Sequence, residues 1–309
     1  MSRHYSLPLR LWEEAQAVLL GSGWSARVAY RLGGQRTLEV SEHDVALAGR
    51  ERGRPPLRVA FASDFHAGPT THDALLDHAC ERLAELRPDL LLLGGDFVSF
   101  DARCVDRLAE RLGAIPAPFG RFAVLGNHDW WTDPARVTQR LEAAGVRMLT
   151  NRSARLDPPH DDLWVCGLDD WLLGEPDAGA ALAGATGLRL VLMHEPSTLL
   201  DLGDAPFALA LCGHTHGGQI ALPGGLAPVV PAGRLSRRYV RGRYALAGGR
   251  TLIVSRGVGF STVPVRLFAP SEIHLCTLAG PDPAPHPADQ AAALAEGNGR
   301  LPHPPATAG

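Results

Sequence analysis

Five short polar clusters in this 309-residue chain combine carboxylate, amide and imidazole groups in a spacing that could bind metal ions. They are Ser63-Asp64-Phe65-His66, Gly94-Gly95-Asp96, Gly126-Asn127-His128-Asp129, Met193-His194-Glu195-Pro196 and Gly213-His214-Thr215-His216. Each cluster follows a short apolar run, which is the pattern of a buried strand. Because ligands in α/β sheets bind beyond the carboxyl ends of the strands, we expect the five clusters to meet at one edge.

The chemistry of these clusters favours divalent metal ions. Nitrogen and oxygen ligands without thiolate suit manganese, iron or zinc. Asp64 and His66 are two residues apart, so an extended chain points both to one face, and His214 and His216 repeat that spacing. Besides His128, we count two aspartates, one asparagine and four histidines of the clusters as ligands. These seven ligands are too many for one ion, so we expect two ions with Asp96 as the bridge. Two ions about 3.5–4 Å apart can hold a phosphoryl group and lower the pKa of a bound water from about 15.7 toward ~7, which serves phosphate-ester hydrolysis.

Alternating strands and helices would position the clusters. Apolar runs at residues 57–62, 90–93, 122–125, 163–166, 188–193 and 208–212 predict buried strands. Helices are predicted over residues 72–87 and 134–144, the second with Asp133 as its N-cap. Short runs after residue 219, such as 251–254 and 272–278, predict a more β-rich second half. The pattern indicates a layered α/β fold.

Length and composition predict one large domain with short appendages, since 45% of the residues are hydrophobic. We place a helical or irregular extension and linker at 1–56, the main domain at 57–279 and a disordered, Pro- and Ala-rich tail at 280–309. Trp12, Ala15, Val18 and Leu19 share a helical face, which predicts a helix that packs on the domain, with membrane contact as the alternative.

Charge and cysteine usage exclude few classes of protein. A net charge of -3 gives no whole-chain attraction to nucleic acid or anionic membrane. The five cysteines are scattered and indicate reduced core residues. With no evident signal peptide, a cytoplasmic protein is expected, with peripheral contact at the inner face of the membrane as an addition.

The order Asp-x-His, Gly-Asp, Gly-Asn-His-Asp, His and Gly-His-x-His resembles the calcineurin-like metallophosphoesterase superfamily. The residues Gly213 to Ile220, together with Arg238-Tyr239, Val254-Ser255-Arg256-Gly257 and Pro270-Ser271-Glu272-Ile273, are similar to its YaeI- and YkuE-like bacterial phosphodiesterase branch. The resemblance covers about residues 57–279. It implies a four-layer α/β/β/α sandwich with two mixed β-sheets.

The resemblance also implies a role for each residue of the clusters. Two divalent ions are expected, manganese first and iron, zinc or another divalent ion as alternatives. The implied ligands are Asp64, His66 and His216 for one ion, Asn127, His194 and His214 for the other, and Asp96 for both. His128 would contact the phosphate and protonate the leaving oxygen, and Asp129 would orient the His128 ring.

The expected substrate is a phosphodiester or phosphoanhydride on a small phosphorylated or lipid-linked molecule. Some relatives in the resembled branch cleave UDP-diacylglucosamine, which makes a lipid- or nucleotide-linked diphosphate the leading example. Trp130, with its neighbour Trp131, is a candidate apolar wall for a lipid or a base. Arg237 and Arg238 are candidate contacts to a diphosphate, an anionic headgroup or a membrane surface. Ordinary packing for Trp130 and a solvated face for the arginines are the alternatives. We expect no stable nucleic-acid partner and predict no protein partner.

Three other functions compete with this hypothesis. Protein Ser/Thr phosphatases of the same superfamily carry Asp-Arg-Gly shortly after Gly-Asp, where this chain has Ser99-Phe100-Asp101, and Glu where it has Asp129. A nuclease stays open, although no long basic stripe with interleaved aromatic residues is present. A non-catalytic scaffold of the same fold is the alternative from a different class, and the complete ligand set argues against it.

Overall fold

The computed structural model describes residues 19–281, which form two six-stranded sheets. In spatial order the first sheet contains β1 (Leu38–Ala46), β12 (Ser271–Ala279), β2 (Leu57–Ala62), β3 (Leu90–Leu93), β4 (Arg121–Ala123) and β5 (Arg147–Met148). Only the pair of β12 and β2 is antiparallel in this sheet. The sheet is therefore mixed, and its parallel strands β2, β3 and β4 end at a common edge.

The second sheet repeats this arrangement in the later part of the chain. Its spatial order is β10 (Gly242–Ala245), β11 (Thr251–Val254), β9 (Leu209–Cys212), β8 (Leu188–Leu192), β7 (Leu163–Gly167) and β6 (Arg152–Arg155). The four inner strands are parallel and the two edge strands are antiparallel to their neighbours. The carboxyl ends of β8 and β9 therefore lie at the same edge of this sheet.

Seven α-helices surround the sheets within the described residues. They are α1 (Trp24–Arg31), α2 (Asp73–Glu85), α3 (Val105–Ala114), α4 (Asn127–Thr132), α5 (Pro134–Ala143), α6 (Ala178–Leu182) and α7 (Leu199–Leu202). The predicted N-cap of α5 is confirmed, because the Asp133 carboxylate accepts a hydrogen bond of 3.0 Å from the backbone N–H of Arg136. No helix between residues 19 and 281 is both long and apolar enough to cross a bilayer.

Three buried clusters stack the elements into four layers. Phe61 of β2 and Leu192 of β8 belong to the cluster between the two sheets. Ala60 of β2 and Leu83 of α2 belong to the cluster on the outer face of the first sheet. A third cluster joins α6 and α7 to the outer face of the second sheet. The predicted α/β/β/α sandwich with two mixed sheets is confirmed.

The N-terminal segment needs a correction. Residues 1–56 were expected to be helical or irregular, yet β1 pairs in parallel with β12 along its whole length. The sequence hides this strand because Glu39, Glu42 and Asp44 are exposed on an edge of the sheet, which leaves no apolar run. The predicted helical face at Trp12 to Val18 and nearly all of the C-terminal tail lie outside the described residues.

Candidate metal centre

The five polar clusters lie together at the carboxyl ends of the parallel strands. Asp64 follows β2 and His214 follows β9, so they come from different sheets. The backbone N–H of His214 nevertheless donates to Asp64 Oδ1 at 3.0 Å. Asp64 and His66 are tied to the next cluster by backbone hydrogen bonds to Gly95 and Asp96. Both sheets therefore contribute side chains to one site.

One group of ligand atoms comes from Asp64, His66 and His216, whose donor atoms all lie within 4.8 Å of one another. His66 Nε2 lies 3.0 Å from His216 Nε2. His216 Nε2 lies 3.4 Å from Asp64 Oδ1. These are the three residues that the family resemblance assigns to one ion.

A second group contains Asp96, His194 and His214, again within 4.8 Å. His194 Nε2 lies 3.3 Å from Asp96 Oδ2, 3.2 Å from His214 Nδ1 and 3.1 Å from Asn127 Oδ1. The same Asp96 oxygen is 3.5 Å from His66 Nε2 in the first group. Asp96 therefore lies between the two groups, where a shared ligand would have to be.

Hydrogen bonds fix which nitrogen of two histidines faces the centre. Backbone carbonyls only accept, and Gly94 O lies 2.8 Å from His194 Nδ1 while Ala232 O lies 2.8 Å from His214 Nε2. Both of these nitrogens therefore carry a proton. In the neutral rings, His194 Nε2 and His214 Nδ1 then turn lone pairs toward each other and toward Asp96. A cation between them would satisfy all three groups.

The charge of the centre also fits metal ions. Asp64 and Asp96 are buried, and within residues 19–281 they form ion pairs with histidines. Burial opposes the charged form of His194, but Asp96, Asp64 and Asp170 raise its pKa well above the ordinary value. Buried carboxylates need compensating positive charge. Two divalent ions would supply that charge to a nitrogen and oxygen donor set of the expected kind.

The backbone at the ligands is strained. Asp64, His66, Asp96, His214 and His216 have positive φ angles between 45° and 70°. A non-glycine residue in this left-handed region costs about 1–3 kcal/mol and persists where the surrounding structure imposes it. This conformation lowers the free energy of unfolding, and it directs the five side chains toward the same site.

Gly126 provides a test of how tightly the centre is packed. A Cβ there would lie 2.2 Å from Asp96 Oδ1 and 2.7 Å from His194 Cε1, although φ is an ordinary -107°. Gly126→Ala should therefore displace Asp96 and lower both bound metal and turnover by about ten- to hundredfold. Metal analysis and hydrolysis of a model diester check this. Gly34→Ala, whose nearest neighbour would be 3.4 Å away, should behave like the parent chain, and equal behaviour of both variants would contradict the packing argument.

His128 faces the open side of the centre. Its ring centroid lies 4.7 Å from that of His66, and its backbone N–H donates to Asp96 Oδ1 at 2.8 Å. The ring Nδ1 is buried without a hydrogen-bond partner among the described residues, and burial lowers the pKa of the ring. His66, Asp96 and His128 also form a group within 4.8 Å. Geometry therefore permits His128 either a proton-transfer role or a ligand role.

Within the described residues no hydrogen bond joins the Asp129 carboxylate to the His128 ring, which corrects the prediction that it orients this ring. Its carboxylate is fully buried and accepts hydrogen bonds from the backbone N–H groups of Phe97, Val98 and Gly126 at 2.8–3.2 Å. Asp129 instead ties the loop after β3 to the loop after β4. Its contribution is to hold those two ligand-bearing loops together.

The predicted substrate contacts also need correction. The Trp130 indole N–H donates to Asp169 at 2.8 Å, and its ring packs against the outer core, so it forms no wall of the site. Trp131 is the tryptophan beside His128, with ring centroids 6.2 Å apart. Arg237 and Arg238 are exposed and do not line the cavity at the centre.

Arg266 is a residue of the site that the sequence did not reveal. Its buried guanidinium Nη2 lies 3.0 Å from His216 Nδ1, and Nη1 donates to His216 O at 3.2 Å. Further hydrogen bonds reach backbone carbonyls of Gly259 and Ala269. Burial lowers its pKa to about 9. The only signal was a single arginine inside an apolar segment, residues 263–269.

Known proteins share this sequence pattern. The profile of the calcineurin-like phosphoesterase family matches residues 57–218. The chain belongs to this family. Two relatives of this calcineurin-like phosphoesterase are bacterial proteins. Phosphodiesterase YaeI of Escherichia coli is 32% identical to this chain, over 72% of this chain and 82% of YaeI. The uncharacterized metallophosphoesterase YkuE of Bacillus subtilis is 30% identical, over 78% of this chain and 85% of YkuE.

Among solved structures, TT1561 of Thermus thermophilus matches with a TM-score of 0.46 at 12% identity, over 66% of this chain and 91% of that one. The predicted family and branch are confirmed by the sequence relatives, and the protein is a phosphoesterase hydrolase with a candidate dinuclear metal site.

Proposed function

We propose that this calcineurin-like phosphoesterase hydrolyses phosphodiester or phosphoanhydride bonds with two divalent ions, manganese before iron or zinc. The observation that carries the proposal is the position of Asp96 Oδ2, within 3.5 Å of a ligand nitrogen in each group. Asp64, His66 and His216 would hold one ion, Asn127, His194 and His214 would hold the other, and Asp96 would contribute to both. When bound, such ions polarise phosphoryl oxygens and lower the pKa of a coordinated water.

The protein side chains supply position and proton transfer. His128 is placed at the open side of the centre, where its ring can reach a phosphate and give a proton to the leaving oxygen. Asp129 and Arg266 hold the loops that carry the ligands, so the geometry exists before substrate binds. Preorganised groups of this kind stabilise a transition state without rearranging during the reaction.

The cavity beside the centre supports a substrate with an apolar part. It measures 560 Å³, and Leu172, Leu173, Ile220, Val229 and Val263 line it next to His128 and His214. A phosphoester with an attached acyl group could place that group against these apolar side chains. A lipid-linked diphosphate such as UDP-diacylglucosamine is therefore the substrate class that we propose.

Two model esters and a chelator test the function. The chain should hydrolyse bis-p-nitrophenyl phosphate faster than p-nitrophenyl phosphate, because the cavity accommodates a second ester group. Removal of metal should lower diester turnover by about a hundredfold or more, and added manganese should restore it better than zinc or iron. Rate measurements with metal analysis before and after chelation check this. A folded, metal-free protein that cleaves neither ester would instead support a non-catalytic scaffold.

A further inference from the structure

Large apolar side chains are exposed on two loops beside the mouth of the cavity. We call them the apolar rim. Its residues are Leu222, Leu226, Val229, Val265, Leu267 and Phe268, which are 40–73% exposed. Contiguous exposed apolar surface of this kind marks an interaction site, since single scattered residues are the ordinary finding.

Backbone hydrogen bonds join the two loops of the rim into one surface. The Ala221 N–H donates to Leu267 O at 2.9 Å, and the Leu267 N–H donates to Gln219 O at 3.0 Å. Arg241 Nη1 donates to Phe268 O at 3.0 Å. The apolar side chains are thus held outward by ordered backbone. Ile220 and Val229 in the first loop also line the cavity that contains His128 and His214.

The rim belongs to a part of the chain without negative charge. Residues 205–271 contain no aspartate or glutamate, although the whole chain has 33. The same stretch contains the arginines Arg234, Arg237, Arg238, Arg241, Arg243, Arg250, Arg256 and Arg266. Three of them, at positions 234, 237 and 238, are exposed directly after the first rim loop. Apolar side chains followed in the chain by exposed arginines match the acyl layer and the anionic headgroups of a membrane.

We propose that the apolar rim docks on an anionic lipid bilayer and turns the metal-binding cavity toward the lipid, so that the substrate is a phosphoester carried by a lipid. The substrate part rests on the proposed function. The docking part rests only on the exposed apolar rim and on the exposed arginines that follow it in the chain. It also gives the arginines near Arg237 a role as contacts to headgroups, outside the cavity.

Two other occupants of the rim fit the observations less well. A symmetric dimer would pair this surface with itself. Such a dimer would bring together two copies of the exposed arginines, and residues 205–271 supply no carboxylate to offset their charge. Residues 282–309 contain only Leu294 and Leu301 as large apolar residues, which is too little to cover the rim. A bilayer supplies both the apolar and the anionic partner.

Sedimentation with vesicles tests the docking. The metal-loaded full-length chain should bind phosphatidylcholine vesicles containing a third of phosphatidylglycerol at least about tenfold more tightly than phosphatidylcholine alone, and added salt should weaken the binding. Substituting Leu222→Gln, Leu226→Gln and Phe268→Gln together should lower binding by about tenfold or more. The matched control is Leu200→Gln, an exposed leucine outside the rim that should leave vesicle binding unchanged.

The variants also separate docking from catalysis. The triple variant should keep the parent's thermal stability and its turnover of soluble bis-p-nitrophenyl phosphate, since none of its three residues lines the cavity. Docking would be refuted by a parent chain that stays in the supernatant, by undiminished binding of the triple variant, or by a dimer that this variant dissolves. Vesicle binding without ester hydrolysis would overturn the proposed function and leave docking intact. Ester hydrolysis without vesicle binding would overturn docking and leave the proposed function intact.

Discussion

Replacing Asp96 with asparagine should lower turnover of bis-p-nitrophenyl phosphate by about a thousandfold or more. Asp96 Oδ2 lies 3.3 Å from His194 Nε2 and 3.5 Å from His66 Nε2, so one carboxylate serves both ligand groups. The amide keeps the size of the side chain but loses the negative charge that two cations share. Bound metal should therefore fall from about two ions per chain to one or fewer, as elemental analysis would show.

Asp101→Asn is the matched control for this substitution. Asp101 follows the same strand by a few residues, but its carboxylate is partly exposed and pairs with Arg103. This variant should keep parental metal content and turnover. If Asp96→Asn retained two ions and hydrolysed the diester within about tenfold of the parent, Asp96 would not bridge them.

Local sequence patterns were enough to predict the strands that carry the site. The runs at 57–62, 90–93 and 251–254 coincide with β2, β3 and β11, because buried central strands are apolar on both faces. Each ligand cluster comes directly after such a run. The convergence of Asp64 and His214 then follows from the rule that parallel strands end at one edge. Residue type, order and strand ends therefore contain most of the information about the centre.

Partners that are distant in sequence could not be predicted in the same way. Asp129 accepts from backbone N–H groups about thirty residues earlier, and Trp130 donates to an aspartate 39 residues later. Arg266 is satisfied by backbone carbonyls, which are the same in every sequence. Proximity to His128 in the sequence suggested roles for Asp129 and Trp130. In the folded chain, contacts with distant residues give Asp129 and Trp130 structural roles.

The strained backbone at the ligands was also hidden. Left-handed φ angles normally favour glycine, yet Asp64, His66 and Asp96 adopt them in this structure. Propensity assigns such residues to ordinary turns, and only the combined packing of two sheets forces them into this region. The strain is therefore a property of the whole site, and no local pattern encodes it.

Replacing His128 with alanine should lower hydrolysis of an alkyl phosphodiester by about 10²- to 10⁴-fold while both metal ions stay bound. The reason is the leaving group: an alkoxide needs a proton to depart, and the His128 ring lies at the open side of the centre, where it could give one. p-Nitrophenolate leaves without protonation, so bis-p-nitrophenyl phosphate should lose far less rate. His78→Ala, at an exposed position on α2, is the control and should leave both rates unchanged.

The comparison of the two esters decides between the roles that geometry leaves to His128. Equal losses on both esters with metal retained would mean that the ring positions the phosphate and does not protonate the leaving oxygen. Loss of metal would mean that His128 belongs with His66 and Asp96 as a ligand, which their separation of less than 4.8 Å permits. A large loss confined to the alkyl ester is the outcome that only a proton donor produces, because no ligand or positioning role distinguishes the two leaving groups.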